Sequence, residues 1–141
     1  MRVQPYLLFD GRCEEALNFY RGALGAEILS LMRFKDSPLP GDLDGRPTGS
    51  GEKIMNASFR VGDSLLMASD GHCGGKPEFK GVSLSITLAD AAQANRIFSA
   101  LADGGEVLMP MTETFFAQRF GMVADRFGLS WLVLAAPVEG V

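Results

Sequence analysis

One order of elements runs through the chain twice, and this duplication limits what it can fold into more than any single residue does. "RVQPYLLF" reads as a strand, and "CEEALNFYRGAL" as a helix with Cys13, Ala16, Leu17, Tyr20, Ala23 and Leu24 on one stripe. Gly25 supplies a left-handed stop to that helix. "AEILSLMRF" is a second strand, and "KIMNASFRVGDSLLMAS" a hairpin turning at Gly62-Asp63. The pattern then restarts. "GVSLSITL" alternates as a strand should. Asp90 with Gln93 resembles a capping box opening a helix through Ala94, Ile97, Phe98 and Leu101, and Gly104-Gly105 ends it. "EVLMPM" and the hairpin "AQRFGMVADRFGLSWLVLA" complete the second half.

Residue identities follow the duplication. At one constant spacing Phe19 pairs with Phe98, Ala23 with Ala102, Gly25 with Gly104, Glu27 with Glu106 and Leu29 with Leu108. In the hairpins a shorter spacing pairs Gly62 with Gly128, Ser64 with Ser130 and Leu66 with Leu132. The shortfall implies extra chain in the first half, which "KDSPLPGDLDGRPTGSG" at 35–51 supplies and which reads as a flexible loop or a lid. The chain of 141 residues has the size of one domain, here divided into a module 1–69 and a module 81–137. The expected class is α+β, with a helix covering one sheet face in each half. The other faces need cover, and two such halves can curve into a cleft of ligand size.

The totals exclude several partners. Apolar residues make up 47% and charged residues 21%, an ordinary globular balance. Net charge is −4, the pI is about 4.9, and Lys and Arg are not clustered, so no nucleic-acid footprint appears. No apolar run is long enough to span a bilayer. The start of the chain lacks the pattern of a signal peptide. Two cysteines, Cys13 and Cys73, are too few for a disulfide framework, which fits reduced thiols in a cytoplasm.

Three stretches carry a family likeness: "YLLFDGRCEEALNFYRGALGAEIL", "IMNASFRVGDSLLMASD" and "MPMTETFFAQRFGMVADRFGLSW". In the last, Thr114-Phe115-Phe116, then Phe120-Gly121, then Asp125-Arg126-Phe127-Gly128, then Trp131 form its most specific part. Together they resemble PhnB-like proteins of the glyoxalase, bleomycin-resistance and extradiol-dioxygenase superfamily, also called vicinal oxygen chelate. The resemblance implies two βαβββ modules forming a cupped mixed sheet, commonly in a homodimer. It implies little about activity, because that superfamily hosts isomerases, dioxygenases, transferases and sequestering proteins. Metal-using members place His, Glu or Gln on the first and fourth strands of each module. Aligned by hand, those positions fall at Pro5 or Tyr6, Leu66, Val82 or Ser83, and Leu132, and a shift of one residue adds Leu65 or Met67 and Trp131 or Val133. None offers the ligands that a divalent cation needs, so no metal and no cofactor are expected. Asn56 stands where relatives often have His, and an amide cannot titrate. Relatives also often carry a demethylubiquinone methyltransferase label. Gly71, Gly74 and Gly75 follow a strand, but no helix follows them to hold a nucleotide-like cofactor.

Other candidate sites are weaker. His72, the only histidine, lies with Asp70 and Cys73 in a glycine-rich segment, a partial metal set or a polar turn. Asp42 and Asp44 hint at a calcium loop, but Arg46 and Pro47 fall where its ligand and glycine should be. Asn56, Ser58 and Arg60 alternate against Met55, Ala57, Phe59 and Val61, as a polar cup wall or a solvated face. In the C-terminal stretch Phe127 and Trp131 suit a core, while Phe116 and Phe120 suit a cleft or dimer seam beside Arg119. Glu113 is the carboxylate placed to act as a base, or to pair with a nearby Arg. The expected function is therefore binding of a small apolar or aromatic molecule by Asn56, Ser58, Phe116, Arg119 and Phe120, within a homodimer. The alternatives are a metal-independent lyase- or isomerase-type enzyme using Glu113, or a metal-dependent enzyme of glyoxalase or dioxygenase type if the alignment is displaced.

Overall fold

The structure is a computed structural model that describes residues 1–39, 41 and 43–137. The chain divides into two compact units, one from Met1 to Pro77 and one beginning at Glu78. The first contains β1 (Tyr6–Leu8), α1 (Cys13–Leu24), β2 (Glu27–Arg33), β3 (Ile54–Val61) and β4 (Ser64–Ser69). The second contains β5 (Ser83–Leu88), α2 (Ala91–Ala102), β6 (Glu106–Thr114), β7 (Ala117–Ala124) and β8 (Ser130–Ala135). The strand orders are β1-β4-β3-β2 and β5-β8-β7-β6. In each sheet the first strand lies parallel to the fourth, and the remaining pairs are antiparallel. The fold is thus two βαβββ modules, each a four-stranded mixed sheet with one helix.

Each helix forms for local reasons and then packs. In α1, Cys13, Ala16, Leu17 and Tyr20 are buried on one stripe, and Glu14 and Glu15 complement the positive end of the helix. Gly25 takes the left-handed conformation (φ 68°), and its N–H returns to Arg21 and Tyr20 carbonyls. The helix lies on β3: Phe9 and Tyr20 rings sit 6.1 Å apart, and Tyr20 and Phe59 stack at 6.2 Å. Complete burial of such side chains contributes about 1.5–3 kcal/mol each. In α2 the Asp90 carboxylate caps Ala92 N at 3.1 Å, and Ala94, Phe98 and Leu101 are buried. Phe98 rests on bare backbone. A Cβ at Gly121 would lie 2.8 Å from the Phe98 ring and 2.7 Å from Met111 Sδ.

The register shows where the halves differ. Burial pairs Tyr20 with Phe98, whereas the identities had paired Phe19 with Phe98. The reason is that Asp103 adds one residue between α2 and Gly104. Likewise Leu66 lies opposite Phe59 on the helix side, as Trp131 lies opposite Val123. Leu132 pairs with Met122, so matching Leu66 to Leu132 compares opposite sheet faces. Between them the turns change length: Gly62-Asp63 in the first module, and residues 125–129 in the second. The insertion also differs in kind from a free loop at its ends. Phe34 N donates to Lys53 O (3.0 Å), and Lys35 pairs with Glu52 (2.9 Å). Arg46 Nε donates to Gly71 O (2.8 Å), and its guanidinium lies 4.2 Å from the Phe34 ring centre. Asp42, one half of the calcium-loop expectation, lies outside the described residues.

Candidate functional site

Each sheet has a face that its own helix does not cover, and strand alternation decides what stands there. In the first module Leu7, Ala57, Phe59, Leu66 and Ala68 are buried on the helix side. Tyr6, Met67, Ser58 and Ser30 therefore form one row across the open face, with Tyr6 against Met67, Met67 against Ser58, and Ser58 against Ser30. Asn56 and Met32 pair on the same face. The side chains are cross-linked: Tyr6 OH donates to Asn56 Oδ1 (3.2 Å), and Ser30 and Ser58 Oγ atoms lie 2.6 Å apart. Arg60 and Glu27 close the margin as an ion pair. Asn56 and Ser58 thus share one polar face, as their alternation suggested; Tyr6 and Ser30 join them, and only the register between strands reveals those two.

In the second module the open face carries Phe120, Leu134 and Thr87 in one row, and Met109, Met122, Leu132 and Ser85 in the next. Phe116 lies in the turn between β6 and β7, 40% exposed, and meets Phe120 edge to face at 5.2 Å. Phe115 is wholly exposed beside it, with ring centres 5.1 Å apart. Arg119 stands elsewhere. It pairs with Ala135 on the face shared with Gly121 and Val133, which is the α2 side. Adjacent strand residues point to opposite faces, so Arg119 and Phe120 are not brought together. Glu113 is exposed on β6, and its carboxylate has no hydrogen-bond or ion-pair partner among the described residues.

Two buried carboxylates explain residues that looked chemical. Asp125 Oδ1 accepts from Phe127 N (2.9 Å) and Leu129 N (3.1 Å), and its Oδ2 accepts from Trp131 Nε1 (2.9 Å). The Asp-x-Phe-Gly…Trp signature is thus a turn sealed by its own carboxylate. Phe127 and Trp131 are buried in the core. Asp70 plays the same part over longer range. Its Oδ1 accepts from Gly11 N (2.7 Å) and Cys13 N (2.8 Å), and its Oδ2 from Ile54 N (2.7 Å). Three donors offset the cost of burying that charge. Burial first, then the nearby Asp70 and Glu14 charges, pushes the Cys13 thiol well above its usual range, so it stays neutral. The Asp70 carboxylate is committed to backbone amides, and His72 is exposed in the turn beside it.

These placements bear on metal and cofactor chemistry. The open-face residues of the first and fourth strands are Tyr6, Leu8, Leu65 and Met67 in one module, and Ser83, Ser85, Thr87, Ser130, Leu132 and Leu134 in the other. None is an imidazole, thiolate or carboxylate. Among the described residues no three His, Cys, Asp or Glu side chains form a metal-holding group.

A duplicated βαβββ chain with these open faces belongs to a class shared by many solved structures. The fosfomycin resistance protein FosX from Mesorhizobium loti has the same fold: TM-score 0.62 at 11% identity, covering 98% of this chain and 93% of that one. Much nearer are PA1353 from Pseudomonas aeruginosa (41% identity, TM-score 0.83, 96% and 98% covered) and a Bacillus cereus PhnB protein described as a putative 3-demethylubiquinone-9 3-methyltransferase (27%, 0.78, 96% and 100%). YjdN of Escherichia coli is 33% identical over 138 residues, 94% of each chain. The family described as 3-demethylubiquinone-9 3-methyltransferase matches residues 1–134, and the chain belongs to this PhnB-type family. A nucleotide-like methyl donor held by a glycine-rich strand-to-helix loop does not fit the residues present. The α1 start is closed by Asp70 and the α2 start by Asp90, and no helix follows Gly71–Gly75.

Proposed function

We propose that the protein is a PhnB-like small-molecule-binding member of the vicinal oxygen chelate superfamily, in which neutral side chains have replaced the superfamily metal ligands. Its ligand is a small apolar or aromatic molecule that packs on an open sheet face of a single module. The observation that carries this reading is the Phe116–Phe120 pair, set edge to face on a sheet surface that α2 does not cover and flanked there by Met122, Leu132 and Leu134. Aromatic groups receive a flat apolar body through stacked and edge contacts, and a thioether adapts its shape to it. The first module's open face, taken by itself, offers hydrogen bonds from Asn56 and Ser58 to such a molecule. Arg119 lies on the helix side and is given no contact with the ligand.

We further place the protein in the cytoplasm as a homodimer. The unbridged Cys13 and Cys73 support a reducing compartment. No helix among the described residues is long and apolar enough to cross a membrane. Catalysis by Glu113 has no supporting geometry, since nothing polar orients its carboxylate. The test is native mass spectrometry of the purified chain. A small-molecule adduct is expected that Phe116→Ala and Phe120→Ala each weaken, while Glu113→Gln leaves it unchanged. A chain that carries no adduct and shows no saturable binding of any aromatic probe would sink the reading.

A further inference from the structure

The chemistry of the first module's open face narrows the ligand. Asn56 Oδ1 is held by Tyr6 OH, which turns the amide so that Nδ2 keeps both hydrogens without a partner among the described residues. The phenol oxygen, having given its proton, retains lone pairs. The Ser30–Ser58 pair shares one hydrogen between two oxygens, leaving one hydroxyl hydrogen to donate outward. Met67 and Met32 flank this set on the same face. The charged groups of that face, Arg60 and Glu27, neutralise each other at its margin. The row therefore both donates and accepts, carries no unpaired charge, and is bordered by thioethers.

We propose that the Tyr6–Asn56 and Ser58–Ser30 row is a recognition site for an uncharged carbonyl or carboxamide group attached to an apolar body. Asn56 Nδ2 donates to the carbonyl oxygen, the Tyr6 oxygen accepts from a ligand N–H or O–H, and the Met side chains cover the adjoining carbons. A carboxylate would meet the Tyr6 lone pairs without a cation to neutralise it, and a hydrocarbon would leave the polar row without partners. This inference rests on the small-molecule-binding reading above and adds the class of head group that the first module's face takes by itself.

The probes are benzamide, benzoate and toluene, which share a ring and differ in head group, titrated into the isotope-labelled full-length chain by NMR. Benzamide is expected to move the backbone signals of β1, β2 and β3 and to bind about tenfold tighter than toluene, the scale of one or two satisfied hydrogen bonds. Benzoate should bind no better than toluene. Asn56→Leu should bring benzamide down to the toluene affinity, and Ser58→Ala should lower it part of the way. Both positions lie on an open face, so neither change disturbs the core. Equal binding of benzamide and toluene, or tightest binding of benzoate, overturns the head-group assignment. If toluene still moves signals around Phe116 and Phe120 in that case, the broader binding reading stands. If no probe moves any signal, both fall.

Discussion

Asp70 and Asp125 make the same bargain in different ways. Each is a buried carboxylate, and each accepts hydrogen bonds from three N–H donors. The Asp125 carboxylate accepts along its own turn, from Phe127, Leu129 and Trp131. Asp70 joins the end of β4 to the start of α1 and the start of β3. One seals a hairpin; the other fastens three separate elements of its module. The contrast teaches that number of donors sets how well a buried charge is tolerated, while sequence distance sets how much structure depends on it.

The largest test is Asp70→Ala. Three buried donors lose their acceptor, and stability should fall by about 3–5 kcal/mol in urea denaturation followed by circular dichroism. The same variant should speed alkylation of Cys13, which the intact corner keeps buried and protonated. A loss no larger than that of an ordinary surface change would break the comparison at its first term. Asp125→Ala should cost less, about 2–4 kcal/mol, because its donors are near one another and a collapsed turn can re-form some bonds to water. Asp125→Asn should retain the Oδ1 bonds and lose that of the indole N–H, giving an intermediate value and a shifted Trp131 emission. If Asp125→Ala proved the costlier change, local sealing would outweigh long-range fastening.

Gly121→Ala comes next. The added methyl group meets Phe98 and Met111, and overpacking of this kind costs about 1–3 kcal/mol. It strikes the second module without touching either carboxylate, so its effect should add to that of Asp125→Ala. The smallest effect belongs to Glu14, an exposed carboxylate on the same helical turn as Cys13. The Arg33 hydrogen bond at 2.5 Å holds its carboxyl below the usual carboxylate range. A lowered folded-state pKa gives stability that is present at neutral pH and lost as pH falls through that value. Exposure screens the pair, so Glu14→Gln should cost less than about 1 kcal/mol at neutral pH and nothing once the wild-type carboxylate is protonated. A large effect would mean that charge, and not burial with its donors, governs this corner.

The contrast between the two carboxylates also explains how far the sequence could be read. The α1 stripe and its Gly25 stop lie within a few residues of one another, and the structure has both. The two βαβββ halves were legible because alternation and helical spacing are local. The Asp125 turn shows in sequence as a motif, since Phe127, Leu129 and Trp131, which donate to it, are close by. Asp70 gave no such sign. Its donors are distant in the chain, and its neighbours His72 and Cys73 drew attention as possible ligands instead. Tyr6 was missed for the same reason, because its partner Asn56 lies on a strand much later in the chain. Arg119 is a different lapse: the period of two along β7 already separates it from Phe120, and the cluster of aromatics hid that signal. The length differences at Asp103 and at the two hairpin turns were illegible because identities at a fixed spacing cannot register a few added residues.

The bond from the indole of Trp131 to Asp125 has a practical corollary. The chain has one tryptophan, which lies in the second module, and two tyrosines, Tyr6 and Tyr20, which both lie in the first. Each half carries its own chromophore. A melt watched by indole emission alone would record only the C-terminal half, and a protein whose N-terminal half had already come apart could pass as intact.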